Sequence, residues 1–156
     1  MGDGRIKVAK DKADLVKSLR AGDDTNGPFQ SYADALVFAA SLGIQNQSRT
    51  PIQEYSKEID PIRQDIFHGK GYEQVINLLS IAATNDPKVV SDNNQYEEIR
   101  IKIFEEFANA GLEILLHMLQ GVDNFMDCIL ILLHEASKTK ETTLDEFDLD
   151  KFLSID

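Results

Sequence analysis

The sequence predicts an all-α protein, a single-domain bundle of about five helices. Apolar residues recur at intervals of three and four over long stretches, and several of these stretches begin at helix-capping residue types. Alternation of polar and apolar residues in the segment 5–9 allows a short N-terminal strand or an extended arm. With 156 residues and a hydrophobic fraction of 42%, the chain has enough apolar surface to bury a core.

The first helix is expected to begin at Asp11, which is a suitable capping residue. Leu15, Val16 and Leu19 would then share one face of that helix. Six Lys or Arg and three Asp give the first 20 residues a net charge of +3. The N-terminal part is therefore predicted to carry a short basic arm.

The second helix has the clearest start and stop signals. A loop is predicted over residues 21–28, where small and polar residues cluster. Ser31 is a suitable N-cap, and Asp34 lies in the first turn, where the helix dipole favours an acid. Gly43 suits a left-handed C-cap. Because residues 32–43 are almost entirely apolar, this helix is predicted to be buried.

The middle of the chain carries weaker signals. Pro51 and Pro61 interrupt any long helix, and residues 68–71 predict a turn. A third helix is expected to open at Gly71. Most of its apolar residues are expected to be buried, namely Val75, Ile76, Leu78, Leu79, Ala82 and Ala83.

Two further helices are predicted. Asn94 as a cap and Glu97 three residues later suggest a capping box, with the helix ending at Gly121 and a kink near Gly111. Asp123 is the predicted cap of the fifth helix, which is apolar nearly all round over residues 128–133 and so belongs at the centre of a bundle. One common core is expected to hold Phe38, Phe104, Phe107, Leu115 and Leu132.

The predicted domain organisation is a helical domain over residues 1–140 and an acidic–hydrophobic segment over residues 141–156. That segment interleaves acids with large apolar residues, so it either packs on the bundle or becomes ordered on a partner. The first residues lack the apolar run of a signal peptide, and no apolar run approaches the ~20 residues of a membrane span. A cytoplasmic protein is expected.

The charge of the chain argues against tight nucleic-acid binding. The net charge is −11, which leaves −14 for the residues after the first 20. Such a surface is repelled by a phosphate backbone. The alternative is a DNA-facing protein whose basic N-terminal segment contacts the backbone through Lys7, Lys10, Lys12 and Lys17.

No motif of catalysis is found in the sequence. Cys128 is the single cysteine, which excludes an internal disulfide and a cysteine-based zinc site, and its apolar neighbours predict burial. Phosphate-binding loops, nucleophile elbows and His-Glu-x-x-His motifs are absent from the sequence. We therefore expect no catalytic residue, cofactor or metal. The alternative is an unrecognised metal-dependent enzyme built around Glu113, His117 and His134.

A candidate partner surface lies in the poorly structured middle of the sequence. Arg63 and Asp65 lie close to Phe67 in a segment whose sequence carries only weak signals of secondary structure. Aromatic and arginine side chains dominate the energetics of many interfaces. Arg63, Asp65 and Phe67 are therefore predicted to contact a partner, with Phe67 as the anchor, although a local ion pair is the simpler explanation of the two charges.

Several segments, in order along the chain, resemble one family of small bacterial proteins, the DNA phosphorothioation (Dnd) system-associated protein 4 family. They span roughly residues 5–115 and include the sequences Arg5-Ile6-x-Val8-Ala9-Lys10-Asp11-Lys12, Gly27-Pro28-Phe29, Ala33-Asp34-x-Leu36-Val37-Phe38-Ala39-Ala40-x-Leu42-Gly43, Arg49-x-Pro51-Ile52, Pro61-Ile62-Arg63-x-Asp65-Ile66-Phe67 and Phe104-Glu105-Glu106-Phe107-Ala108-Asn109-Ala110-Gly111-Leu112.

The resemblance implies a bacterial genomic context. Phosphorothioation systems replace a non-bridging phosphate oxygen of DNA by sulfur, and a companion restriction apparatus attacks unmodified DNA. The implied role is that of an accessory protein, with other proteins of the modification or restriction system as partners and DNA contacted indirectly. The resemblance brings no catalytic residue with it. A homo-oligomer remains compatible with the sequence.

Overall fold

The computed structural model describes residues 4–22, 25–122 and 124–145. Over these residues it has six α-helices and one small sheet of two strands, so the predicted all-α class is confirmed. The elements are β1 (Arg5–Ile6), α1 (Ala13–Leu19), α2 (Tyr32–Gln45), β2 (Ile62–Arg63), α3 (Gln64–Gly69), α4 (Glu73–Thr84), α5 (Asn94–Met118) and α6 (Phe125–Asp145). The chain divides after Gln120 into two compact units, the first containing β1 to α5 and the second α6.

The N-terminal segment is part of the first unit's fold. β1 pairs antiparallel with β2, with Ile6 opposite Ile62, and both residues are buried. A 3-10 turn over Lys10–Lys12 leads into α1. Asp11 lies inside this turn and does not cap the helix, but the predicted apolar face of α1 is buried. Of the two predicted alternatives, a short strand or an extended arm, the structure shows the strand, and burial of Ile6 and Val8 fixes the segment against the rest of the unit.

The packing of α2 against α5 forms the centre of the first unit. Ser31 caps α2 as predicted, its hydroxyl accepting a hydrogen bond from the Asp34 backbone N–H at 3.2 Å. Gly43 does not end the helix, which continues to Gln45. A Cβ on Gly43 would lie 2.3 Å from the Phe107 carbonyl oxygen, and one on Gly111 would lie 1.7 Å from that of Ala39. Both glycines are therefore needed for close helix packing.

Helix α4 buries only one face. Ile76 and Leu79 are buried as predicted, but Leu78 is 67% exposed and Ala82 also faces solvent. Ser80 lies on the buried face of α4, where its hydroxyl group donates a hydrogen bond to the Ile76 carbonyl at 2.8 Å. The apolar composition of α4 therefore predicted more buried residues than the structure shows.

Helix α5 begins at Asn94, the predicted cap, so its observed cap lies one residue earlier, and the helix runs without a break through Gly111. Asn93 is the N-cap, its side chain accepting from the Gln95 backbone N–H at 2.7 Å. The predicted end is confirmed, because the helix stops at Met118 and Gly121 follows with a φ of 78°.

The predicted core residues are buried to different degrees. Phe104, Phe107 and Leu115 are buried in the first unit. Phe38 is half-buried, and its ring lies 5.3 Å from that of Phe29. Leu132, in the second unit, is also half-buried.

The second unit differs most from its prediction. Ile129 is buried, but Leu130, Ile131 and Leu133 are 54%, 58% and 53% exposed, so α6 is not a fully enclosed helix over the part that the structure describes. Cys128 is half-buried. The predicted cap Asp123 lies outside the described residues, whereas Asn124 accepts a hydrogen bond from the Met126 backbone N–H at 3.0 Å. Of the predicted segment 141–156, residues 141–145 continue α6 and the rest lie outside the described residues.

None of the helices described over residues 4–22, 25–122 and 124–145 is long and apolar enough to cross a membrane.

Candidate functional site

A groove of about 540 Å³ in the first unit is lined by two of the predicted site residues. Arg63 and Asp65 lie at its edge, at the junction of β2 and α3. Helix α4, the turn that follows it and the first half of α5 supply the other walls. We call this the Arg63 groove.

Hydrogen bonds between elements fix the walls of the Arg63 groove. The Gln64 side-chain amide donates to the Gly4 carbonyl at 3.3 Å and to the Glu97 carboxylate, which joins α3 to the N-terminal strand and to α5. Arg100 donates to the carbonyl oxygens of Val89 and Ser91 at 2.6 and 3.1 Å. Arg100 therefore holds the segment before α5 against the helix.

The groove carries more acids than bases. Arg63 is ion-paired with Asp65, and both side chains are more than half exposed. The His68 Nδ1 atom lies 3.9 Å from the Glu73 carboxylate. Four carboxylates and two guanidinium groups line the groove together with the apolar side chains of Ile76 and Val90. The carboxylates belong to Asp65, Glu73, Asp92 and Glu97, and the guanidinium groups to Arg63 and Arg100.

Phe67 does not belong to this surface. Its side chain is fully buried, with its ring edge-on to that of Phe104 at a centroid distance of 5.5 Å. The prediction of Phe67 as an interface anchor is corrected for this reason: the ring packs inward from α3 into the core. Arg63 and Asp65 remain accessible, and their contact with a partner stays a prediction.

The four candidate DNA-contacting lysines do not form one basic surface. The Lys10 and Lys17 Nζ atoms lie 2.9 and 2.7 Å from the carboxylates of Glu54 and Glu58. The Lys7 Nζ lies 4.8 Å above the centre of the Tyr55 ring. Exposed ion pairs are weak, but each leaves less positive charge for a phosphate.

Lys12 is excluded as a DNA contact, which corrects the prediction for this residue. It is 2% exposed, and its Nζ lies 2.8 Å from Asp11 and 2.7 Å from Glu113. Burial alone lowers the pKa of Lys12, but the hydrogen bonds to these two carboxylates raise it and prevail. Lys12 is thus an internal ion-pair partner.

The alternative metal site is not assembled in the described structure. Glu113 lies 3.3 Å from the His117 Nε2 but also holds Lys12, whose hydrogen bond lowers the Glu113 pKa. His134 lies in the second unit. Among the residues described in 4–22, 25–122 and 124–145, no three His, Cys, Asp or Glu side chains form a group suited to a metal ion.

A buried carboxyl group was missed by the sequence reasoning. Glu105 is 5% exposed, and its Oε2 atom has no hydrogen-bond partner. Burial raises the pKa of Glu105 to about 7, and the charge of Glu106 adds to the effect, whereas hydrogen bonds from the Lys7 backbone N–H and from Tyr55 oppose it. Two adjacent acids within the apolar run 103–112 were the available signal.

The Glu105→Gln variant is expected to lose part of the protein's pH dependence of stability. The ordinary pKa of this group is 4.5, so between that value and about 7 the folded state holds the proton more tightly than the unfolded state. The stability contributed by protonation is fully present below pH 4.5 and is lost as pH rises through about 7. The slope reaches at most about 1.4 kcal/mol per pH unit.

Urea unfolding of the two proteins at several pH values measures this effect. The glutamine variant should be roughly 1–2 kcal/mol more stable than the wild type at about pH 8, and this gain should shrink toward pH 5. Glu98→Gln, an exposed carboxylate on the same helix, is the matched control and should give no such trend. A constant difference between Glu105→Gln and wild type across this range would contradict the assigned titration.

Comparison with known proteins identifies one family. The model of the family described as DNA sulphur modification system-associated protein 4 matches residues 5–152. No curated protein and no solved structure matches the chain.

Proposed function

Because the chain belongs to the DNA sulphur modification system-associated protein 4 family, we propose that it is a non-enzymatic accessory protein of such a system and acts by binding another of its proteins. Family membership supports the association with DNA sulphur modification. The binding role is our inference from the Arg63 groove. Phosphorothioation-linked modification or restriction proteins are the partners that fit this role.

The Arg63 groove carries the proposal. Its charged side chains bind one another or the backbone, as in the Arg63–Asp65 pair and the Arg100 hydrogen bonds. They line the groove together with two apolar side chains, those of the buried Ile76 and the partly exposed Val90. An apolar centre with a charged rim is the usual composition of a protein interface. The excess of carboxylates favours a partner segment that contains lysine or arginine.

Capture of the other system proteins from the same host tests this proposal. The chain is co-expressed with each of them, and complexes are purified through a tag on this chain. Asp65→Lys reverses a groove charge and places a second cation beside Arg63, which repels a partner segment that contains lysine or arginine, so we expect at least a roughly tenfold loss of captured partner.

A matched control separates a specific surface from a general charge effect. Glu54→Lys makes the same change of charge in the exposed Lys10–Glu54 pair, whose side chains have similar exposure to those of Arg63 and Asp65. This control should capture the partner as the wild type does. Equal losses in both variants, or no loss in either, would contradict binding through the Arg63 groove.

A further inference from the structure

A second groove, of about 520 Å³, lies between the N-terminal extended segment and one face of α5. Glu98, Lys102 and Glu105 lie along that face at intervals of four and three residues. Arg5 and Lys7 approach from the opposite side. We call it the Lys102 groove. Its volume is within the range of small-molecule sites.

The Lys102 groove gathers positive charge on an acidic protein. Arg5, Lys7 and Lys102 all line it, and within the described part of the chain none of them lies within ion-pair distance of a carboxylate. The lysines at positions 10, 12 and 17 are all ion-paired. Three cations facing one cavity favour an anionic ligand.

Glu105 forms part of the lining and is the second observation that indicates a ligand site. Only 5% of its surface is exposed, and its Oε2 atom has no hydrogen-bond partner. Such an atom in a native protein requires an explanation, because burying an unpaired carboxylate oxygen is costly. A neutral carboxyl would instead offer a hydrogen-bond donor at this position.

We propose that the Lys102 groove binds the phosphoryl group of a small molecule, with Arg5, Lys7 and Lys102 as its cationic contacts. This proposal does not rest on the partner-binding role. When Glu105 is protonated, the three cations of the groove are opposed only by the carboxylate of Glu98. When Glu105 is ionised, they are opposed by two carboxylates. Protonation of Glu105 therefore strengthens the binding of an anion.

The groups around Glu105 bring its titration close to neutral pH. Burial and the charge of Glu106 raise its pKa to about 7, while Lys7 and Tyr55 oppose the rise. Glu106 is itself held by Arg49. The pKa of Tyr55 is raised by burial and by the two glutamates.

Sulfate is the first probe, because it remains a dianion throughout the neutral range and so reports only the protein's titration. Isotope-labelled full-length protein is titrated with sulfate at constant ionic strength, and the backbone amide signals are followed by NMR. Saturable shifts are expected at residues 5–7 and 98–105, with affinity about fivefold higher at about pH 6 than at about pH 8.

Variants locate the site. Lys102→Ala should weaken sulfate binding roughly threefold to fivefold, whereas Lys88→Ala, which removes an exposed lysine outside the groove, should not change it. Glu105→Gln keeps a neutral donor and should bind equally well at both pH values. Equal effects of the two lysine variants, or shifts that do not saturate, would overturn the proposal.

Phosphate, a mononucleotide and a short DNA duplex then identify the source of the anion. Saturable binding of phosphate or the mononucleotide at the same amides supports a small-molecule site. Binding of the duplex without binding of the small anions would overturn it in favour of a DNA-facing surface. Failure of every probe also overturns it, and leaves the capture experiment at the Arg63 groove unaffected.

Discussion

Replacement of Gly111 by alanine is expected to destabilise the protein by about 3 kcal/mol or more, because helix α5 has no room for a side chain at this position. The added Cβ would lie 1.7 Å from the Ala39 carbonyl oxygen and 2.9 Å from the Ala39 Cα, which are backbone atoms of α2. Backbone cannot rotate away as a side chain does, so the two helices must separate. Urea unfolding followed by circular dichroism measures the loss.

The chain offers controls for this prediction. Gly69 lies at the end of α3, and a Cβ there would meet nothing within 4 Å, so Gly69→Ala should change stability by no more than about 0.5 kcal/mol. Gly43→Ala introduces a milder clash, 2.3 Å from the Phe107 carbonyl oxygen. Its cost should fall between the other two. A Gly111→Ala protein as stable as the wild type would contradict the close packing of α2 against α5.

Local signals in the sequence were sufficient for much of the helical structure. The Ser31 cap lies within four residues of the groups it serves, so it was predictable together with α2. The contribution of Gly43 was not, because its constraint comes from Phe107 on another helix. Gly43 is compatible with a C-cap in the sequence, and only the tertiary packing shows why the helix continues past it.

The apolar composition of a helix did not predict which of its faces is buried. Leu78 and Leu130 stand in strongly apolar stretches, yet both are more than half exposed. A periodic pattern shows that a helix has an apolar side, but the burial of that side depends on whether another element packs on it. This dependence explains the wrong predictions in α4 and α6.

The segments that resemble the family meet one another in the first unit. β1 pairs with β2, Arg49 binds Glu106, and Gly43 touches the backbone of Phe107. The Asn109 side chain donates to the carbonyl oxygens of Thr50 and Pro51 at 3.2 and 3.4 Å. These segments therefore specify how the helices pack, which explains how a family can be identified from residues that suggest no chemistry.

The two grooves could be predicted only in part. Arg63 and Asp65 were selected from the sequence, but Gly4 and Arg100 reach the same groove only through folding. Lys7 was placed in a row with other lysines, whereas the structure groups it with Arg5 and Lys102. Contacts between residues about 100 positions apart leave no local pattern in one sequence.

Phe67→Ala is expected to destabilise the protein by about 3–5 kcal/mol. The side chain is fully buried, and its edge-to-face contact with Phe104 would be lost together with the packing around it. Thermal and urea unfolding measure the change. The sequence had suggested the opposite result, a weakened partner complex with an almost unchanged melting temperature.

Ile66→Ala is the matched control, because Ile66 is the neighbouring residue on α3 but is 45% exposed. It should change stability by about 0.5 kcal/mol or less. A Phe67→Ala protein that is stable but fails to capture its partner would indicate that Phe67 contacts the partner, and would contradict its place in the core. If Phe67→Ala is destabilised and Ile66→Ala is stable, Phe67 anchors α3 in the core. The positions of Arg63 and Asp65 at the start of this helix then depend on the buried Phe67 ring.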